Sequence, residues 1–159
     1  MKLTLVALGC IILLFGGVFL AQNTQNKEFG SEGVSSTVLD LSFKNLTKVP
    51  NDVFNNTNLE ELDVSHNQLS GSLQAEVRHL SKLKVLKLNN NQFTGVPAEI
   101  GQLSELEVLD LSNNKLTGLP QELGKLTRLK LLDVSGNDYS EQDLEIIQNQ
   151  LPGSVVIKR

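Results

Sequence analysis

Residues 106–116 read LEVLDLSNNKL, and the same pattern of leucine and asparagine returns three more times along the chain. The related stretches are LEELDVSHNQL at 59–69, LKVLKLNNNQF at 83–93 and LKLLDVSGNDY at 129–139. Their first leucines are separated by 24, 23 and 23 residues, and a weaker copy, LDLSFKNL, occupies 39–46. Self-similarity at such a period is typical of a solenoid built from stacked coils.

Within each copy the alternation x-Leu-x-Leu-x predicts a short strand that is buried on one face only. Such a strand cannot hide its apolar face alone, so neighbouring copies must stack in parallel around a shared core. The segments that follow, such as FTGVPAEIGQL at 93–103 and LTGLPQELGKL at 116–126, predict a return path on the opposite, convex side. The second copy departs from this pattern, because SGSLQAEV at 70–77 lacks the proline and holds the additional residue.

These residues resemble the leucine-rich repeat family, whose pattern is L-x-x-L-x-L-x-x-N-x-L. The second halves are similar to the subclass with L-x-x-L-P-x-E-I, found in Ras-suppressor-like proteins, in plant intracellular Ras-group proteins and widely in bacteria. The resemblance covers residues 36–159. It implies an α/β solenoid of about five repeats, with a short curved parallel sheet on the concave face and an irregular or helical convex side.

The repeat pattern ends at about residue 138 and gives way to a predicted C-terminal cap. Helical spacing is shown by Tyr139, Leu144, Ile146, Ile147 and Leu151, and VVI follows at 155–157, so we expect an amphipathic helix and a short final strand. Exported animal and plant members of the family often seal their ends with cysteines, whereas Cys10 is the single cysteine here. This difference favours a bacterial source.

Residues 3–21 form an apolar stretch of 19 residues without a charge, which is long enough for a helix to cross a bilayer. Two interpretations remain open for residues 1–21: an uncleaved transmembrane signal-anchor, or a signal peptide removed in the mature protein. Lys2 on the N-terminal side favours export of the rest of the chain. The polar, glycine-containing residues 22–35 are expected to be a flexible linker.

Composition excludes several classes of function. The net charge of −4 argues against a nucleic-acid-binding protein, and a single cysteine excludes a disulfide scaffold or a cysteine-based zinc site. His66 and His79 fall in different parts of consecutive repeats, so no catalytic set converges. A cation shared by Asp40 and Asp63 is conceivable, but no further ligands are in view. We therefore expect no enzyme activity, no cofactor and no metal.

The outward positions of the predicted strands form three columns on the concave face, because neighbouring strands lie about 4.8 Å apart. The first column is Val38, Glu61, Val85, Val108 and Leu131. The second is Asp40, Asp63, Lys87, Asp110 and Asp133, and the third is Ser42, Ser65, Asn89, Ser112 and Ser135. Val85, Val108 and Leu131 form a contiguous apolar strip in the first column, and contiguous apolar surface often marks an interface. The candidate partner-binding residues are Glu61, Asp63, Val85, Lys87, Val108, Asp110, Leu131 and Asp133.

A second recurring feature is an asparagine at the turn that leaves each strand. These residues are Asn67, Asn91, Asn114 and Asn137. A buried amide at this position can satisfy backbone groups of its own coil and of the next coil. We therefore predict a structural asparagine ladder rather than a ligand site.

The combined features predict a non-enzymatic, monomeric binding module for an unidentified protein or peptide. Its repeat domain would lie outside the cytoplasm, anchored to a membrane through residues 3–21 or secreted after signal cleavage. The alternative is a structural or glycan-associated protein of the cell envelope, in which aspartate and serine are ordinary fillers of the strand positions.

Overall fold

The computed structural model describes residues 36–159, and within this range six short strands form one parallel sheet. In chain order the strands of the whole range are β1 (Val38–Asp40), β2 (Glu61–Asp63), β3 (Ser70–Ser72), β4 (Val85–Lys87), β5 (Gln92–Gly95), β6 (Val108–Asp110), β7 (Leu131–Asp133) and β8 (Val156–Lys158). The parallel sheet has the order β1-β2-β4-β6-β7-β8, so each coil adds one strand beside the previous one. The expected solenoid with a parallel sheet is thereby confirmed.

The register of the strands aligns the core residues of successive coils. Leu62 pairs with Leu86, Leu86 with Leu109 and Leu109 with Leu132. All four side chains have an exposed fraction of 0%. Because only the central residue of each three-residue strand points inward, the flanking side chains are left on the concave surface.

The convex side consists of four 3₁₀ helices in the described residues, namely Asn51–Asn55, Ala75–His79, Ala98–Gln102 and Gln121–Lys125. A proline precedes three of them, where its fixed φ suits the start of a helical turn. Gln74 takes the place of the proline before the second helix, and the Gln74 Nε2 donates to the Val49 carbonyl at 2.6 Å. The convex helices pack so closely that a Cβ at Gly101 would lie 2.8 Å from the Glu122 Cβ.

A second, two-stranded parallel sheet is formed by β3 and β5, each of which lies in the chain between a concave strand and the convex helix that follows it. The sequence pattern does not predict it. Its register shifts between Gly71 and Ser72, in the repeat that holds the additional residue. Gly71 has a φ of 74°, a conformation that glycine adopts readily. The insertion is thus absorbed locally, and the pairing of β2 with β4 remains regular.

The C-terminal cap contains the helix α1 (Glu141–Gln150) and the strand β8. Leu144 and Ile147 are fully buried, and α1 packs against the last convex helix. Strand β8 pairs with β7 and becomes the sixth strand of the main sheet. The cap therefore seals the convex side with a helix while the concave sheet continues by one strand.

The hydrophobic helix and linker predicted for residues 1–21 and 22–35 lie outside the described residues. Between residues 36 and 159 we find no helix with the length and apolar character needed to span a membrane.

Candidate binding face

The apolar part of the concave face is one residue longer than the sequence analysis predicts. Val85 pairs with Val108, Val108 with Leu131, and Leu131 with Val156 of the cap strand. The first three side chains are half-buried, and Val156 is 57% exposed. We call these four residues the apolar strip. Val156 was missed because β8 lacks the repeat spacing, although VIK at 156–158 resembles VLK at 85–87.

The aspartates of the second column take part in the turns that follow their strands. The Asp110 Oδ1 accepts the Ser112 amide N–H at 3.0 Å and the Ser112 hydroxyl at 2.7 Å. The same amide hydrogen bond joins Asp40 to Ser42, Asp63 to Ser65, and Asp133 to Ser135. One oxygen of each carboxylate is therefore committed to local backbone structure. The second oxygen of each carboxylate is left for contacts outside the turn.

Lysines form ion pairs with only some of the carboxylates on the concave face. The Lys87 Nζ lies 2.8 Å from Glu61 Oε1 and 3.5 Å from Asp63 Oδ2, and the Lys158 Nζ lies 3.3 Å from Asp133 Oδ2. Although Asp110 is opposite Lys87 in the register, no lysine or arginine of residues 36–159 lies within 4.0 Å of its carboxylate. Lys87 therefore pairs with Glu61 and Asp63 but not with Asp110, and the Asp110 carboxylate is left without an ion pair beside Val108.

These contacts shift the pKa values of Asp133 and Lys87 away from their ordinary values. Burial raises the pKa of Asp133, but hydrogen bonds from Ser135 and Lys158 outweigh burial and place it below the ordinary value of 3.8. The hydrogen bond to Glu61 raises the pKa of Lys87 above its usual range. Both groups are charged at neutral pH, so the face keeps its pattern of fixed charges.

The lowered pKa of Asp133 predicts an acid-sensitive contribution to stability. A carboxyl group whose folded pKa lies below its unfolded value stabilises the fold above the unfolded value, and this stabilisation is lost as the pH falls through the folded pKa. Chemical denaturation between about pH 5 and pH 2 should therefore give a shallower loss of stability for Asp133→Asn than for the parent. Ser135→Ala, which removes a hydroxyl 2.6 Å from Asp133, should be intermediate. Identical slopes for all three proteins would contradict the assignment.

The four asparagines of the predicted ladder each connect two coils. The Asn91 Oδ1 accepts the Leu69 amide N–H, and its Nδ2 donates to the carbonyls of Val64, Leu88 and Asn89 at 3.0 to 3.3 Å. Asn67, Asn114 and Asn137 make equivalent bonds to the preceding coil and to their own turn. Asn91 is buried and the other three asparagines are half-buried, and the amide of each is engaged with backbone groups of two coils.

An aromatic pair lies at the rim where the strands end. The rings of Phe43 and His66 are stacked with centroids 4.2 Å apart and an interplanar angle of 9°. Both residues have a left-handed backbone, with φ values of 55° and 54°, and Phe43 is 69% exposed. Such a backbone is unfavourable for a bulky side chain, and exposure of the ring adds a second cost. The sequence does not predict this pair, because stacking between coils cannot be deduced from either residue alone.

Groups that could support catalysis or metal binding are dispersed in the described residues. His66 lies at the end of a strand and His79 in a convex helix. Within residues 36–159, no group of three or more histidine, cysteine, aspartate or glutamate side chains is arranged to hold a metal ion.

A parallel sheet, a convex row of 3₁₀ helices and an asparagine ladder together define a repeat solenoid with an open concave face. The family model described as Leucine rich repeat matches residues 37–93 and 81–138. The chain belongs to the leucine-rich repeat family. Domains of this family are generally non-enzymatic and typically mediate protein–protein interaction.

The similar proteins include plant and bacterial members. Receptor-like protein 14 of Arabidopsis thaliana is 44% identical over 59 residues, which are 36% of this chain and 6% of that protein. The solved structure of a Leptospira interrogans leucine-rich repeat protein has 30% identity and a TM-score of 0.61, with 77% of this chain and 36% of that chain covered. A plant peptide hormone receptor, RGFR1, solved in complex with RGF2, has 37% identity and a TM-score of 0.58 over 70% of this chain and 18% of that chain. This chain thus spans a small part of the length of these relatives.

Proposed function

We propose that this chain is a non-enzymatic binding module that takes an extended protein or peptide segment on its concave face. The observation that carries this proposal is the apolar strip of four residues next to the unpaired carboxylate of Asp110. Contiguous apolar surface on a concave face favours an interface, and a protein ligand can cover it along its whole length.

The charges define the chemistry of the ligand. Lys87 contacts Glu61 and Asp63, and Lys158 contacts Asp133, whereas no lysine or arginine of residues 36–159 lies within 4.0 Å of the Asp110 carboxylate at the centre of the face. A ligand that places an apolar side chain on Val108 and a lysine or arginine beside Asp110 would satisfy both features. The complex of the related RGFR1 with RGF2 supports a peptide as the class of ligand.

The location of the module is the second part of the proposal. The uncharged stretch at residues 3–21 favours membrane anchoring or export, with the repeat domain outside the cytoplasm. The similarity to receptor-like protein 14 and to a receptor supports an extracellular site. An intact mass together with recovery in the membrane fraction would support the anchor, and loss of about residues 1–21 would support secretion.

Val108→Glu should abolish most ligand binding while the fold is retained. A glutamate at this position places a charge in the middle of the apolar strip, and Glu61 shows that the same column accepts a carboxylate. Peptides selected from a random displayed library on the parent protein should combine apolar with basic residues. Their affinity for Val108→Glu, measured by isothermal titration calorimetry, should fall by at least about tenfold.

Thr127→Glu provides the matched control, because Thr127 is exposed and follows the last convex helix. It adds the same charge and should leave the affinity unchanged. Equal binding to the parent and to Val108→Glu, or selection of acidic peptides, would place the ligand elsewhere.

The exposed aromatic pair favours a second candidate function, binding of an envelope glycan. One face of the Phe43 ring is stacked on His66 and the ring is 69% exposed, so a sugar could pack against it. Phe43→Asn should remove this platform and raise stability by about 0.5–1 kcal/mol, because asparagine tolerates a left-handed backbone better than phenylalanine. Loss of binding to isolated cell-wall material together with this gain would support the glycan; unchanged cell-wall binding would eliminate the site.

A further inference from the structure

The main sheet of the described residues has two outer strands, β1 at one end and β8 at the other. Each has one edge that no other strand of residues 36–159 pairs with. Exposed edges of this kind are templates for pairing with a further strand. The side chains on these two edge strands are complementary to each other.

The apolar residues of the two edges match. Val38 on β1 is 51% exposed and Val156 on β8 is 57% exposed, and they are the two exposed large aliphatic side chains among the described residues. Both belong to the first column of the concave face, at its opposite ends. The other apolar residues of that column are half-buried because a neighbouring strand lies on each side.

The charges of the two edges are also opposite. If β8 of one molecule lay beside β1 of another in the register used throughout this sheet, Val156 would face Val38, Ile157 would face Leu39 and Lys158 would face Asp40. Asp40 has a pKa below its usual range because of hydrogen bonds from Ser42, so it is ionised at neutral pH. Cross-strand pairs of opposite charge stabilise a sheet.

The backbone groups have the correct phase for this arrangement. The amide N–H of Val156 donates to the Lys130 carbonyl, and the Lys158 carbonyl accepts the amide N–H of Val134. Val156 and Lys158 thus direct their backbone groups toward β7, so the backbone N–H and C=O of Ile157 point away from it. At the two ends of β1, the Thr37 carbonyl and the Leu41 amide N–H form hydrogen bonds with the second coil. In a parallel strand, alternate residues direct their backbone N–H and C=O groups toward opposite neighbours. The backbone groups of Val38 and Asp40 therefore point outward, away from β2.

Ser36 protects the β1 edge. Its hydroxyl donates to the Val38 carbonyl at 2.7 Å and accepts the Val38 amide N–H at 3.3 Å. These are the groups that an incoming strand would use. Pairing therefore requires the Ser36 side chain to move aside, which keeps the association weak and reversible.

We propose that a second copy of this chain pairs through these edges, with β8 of one molecule adding to β1 of the next and the concave sheet continuing across the contact. The contact is heterologous, because it joins two different surfaces, and each molecule keeps one edge available for a further copy.

Cysteine cross-linking between two variants of the full-length chain tests the proposed pairing. All proteins carry Cys10→Ser and are kept in the same detergent, so that association through residues 3–21 is equal in every sample. Adjacent parallel strands place paired Cα atoms about 5 Å apart, which a disulfide can span. A mixture of Val38→Cys with Val156→Cys should therefore form covalent dimers under mild oxidation.

The controls separate edge pairing from other association. Val38→Cys alone and Val156→Cys alone bring together identical positions and should give little dimer. Val108→Cys mixed with Val156→Cys tests a position inside the same column and should also give little dimer. An absence of dimer with the first mixture, or equal yields in all mixtures, would overturn the proposal.

A charge-reversal series tests the expected register. Adding Asp40→Lys to the Val38→Cys partner should lower the cross-linking rate about fivefold, and adding Lys158→Asp to the Val156→Cys partner should restore it. Ser36→Ala, which frees the Val38 backbone groups, should raise the rate about threefold. A rate that does not recover with both reversals, or that is unchanged by Ser36→Ala, would contradict the proposed contact.

Discussion

Replacing Leu109 by alanine should lower the free energy of unfolding by about 3–4 kcal/mol, the largest loss expected from a single substitution in this chain. The side chain has an exposed fraction of 0% and lies at the middle strand of the core column, between Leu86 and Leu132. Alanine would leave a cavity that neighbouring coils cannot close, because their spacing is held by the backbone ladder on both sides.

The stacked architecture adds a second effect to Leu109→Ala. In a solenoid each coil contacts only its neighbours, so stability is a sum of coil and interface contributions. A defect at the central coil weakens two interfaces at once and should reduce the cooperativity of unfolding. Urea denaturation followed by circular dichroism should show a lower midpoint and a smaller m-value.

Val108→Ala is the matched control for this prediction. Val108 is adjacent in sequence but half-buried on the concave surface, so its truncation should cost less than about 1 kcal/mol. Equal losses for the two variants would mean that the strand is not buried on one face only.

The second large effect is expected for Asn91→Ala, with a loss of about 1–3 kcal/mol. The Asn91 side chain is 8% exposed, and its amide accepts one backbone N–H and donates to three carbonyls. Alanine would leave these groups without a partner in a part of the turn that water cannot reach. The cost is therefore that of unsatisfied polar groups rather than of lost packing.

The appropriate control for Asn91→Ala is Asn58→Ala. Asn58 is exposed, and its Oδ1 accepts a hydrogen bond from Lys82 Nζ at 2.7 Å. Water can replace this partner, so the denaturation midpoint of Asn58→Ala should stay close to that of the parent. An unchanged midpoint for Asn91→Ala would remove the asparagine ladder as a source of stability.

The concave aspartates have two roles that the sequence analysis does not distinguish. The pattern Asp-x-Ser on β6 and β7 predicts surface charge, and in the fold one oxygen of each aspartate also accepts the serine amide. A substitution at Asp110 would alter the turn as well as any ligand contact. Val108 is therefore the better position for a test of binding.

The repeat period, the inward-facing leucines and the asparagine positions could be predicted because each is a local pattern. Strand alternation depends on neighbouring residues of one coil, and a period near 23 residues brings equivalent positions together in every copy. The register of Leu62, Leu86, Leu109 and Leu132 follows from these two facts alone.

Contacts that depend on distances between coils were decided only by the tertiary structure. Lys87 lies opposite two aspartates and pairs with Glu61 and Asp63, a choice that rotamers and the sheet geometry determine. Strand β8 joins the sheet although its spacing from β7 is irregular, because α1 spans the intervening distance. Phe43 stacks on His66 since both left-handed turns project in the same direction.

The amino-acid sequence thus determined the solenoid, its core and its polar ladder, because hydrophobic periodicity acts through each coil separately. The tertiary structure alone decided which carboxylates on the concave face lack an ion pair and which edges are complementary. Those properties arise from side chains that are distant in sequence and come within a few ångströms of each other only after the coils have stacked.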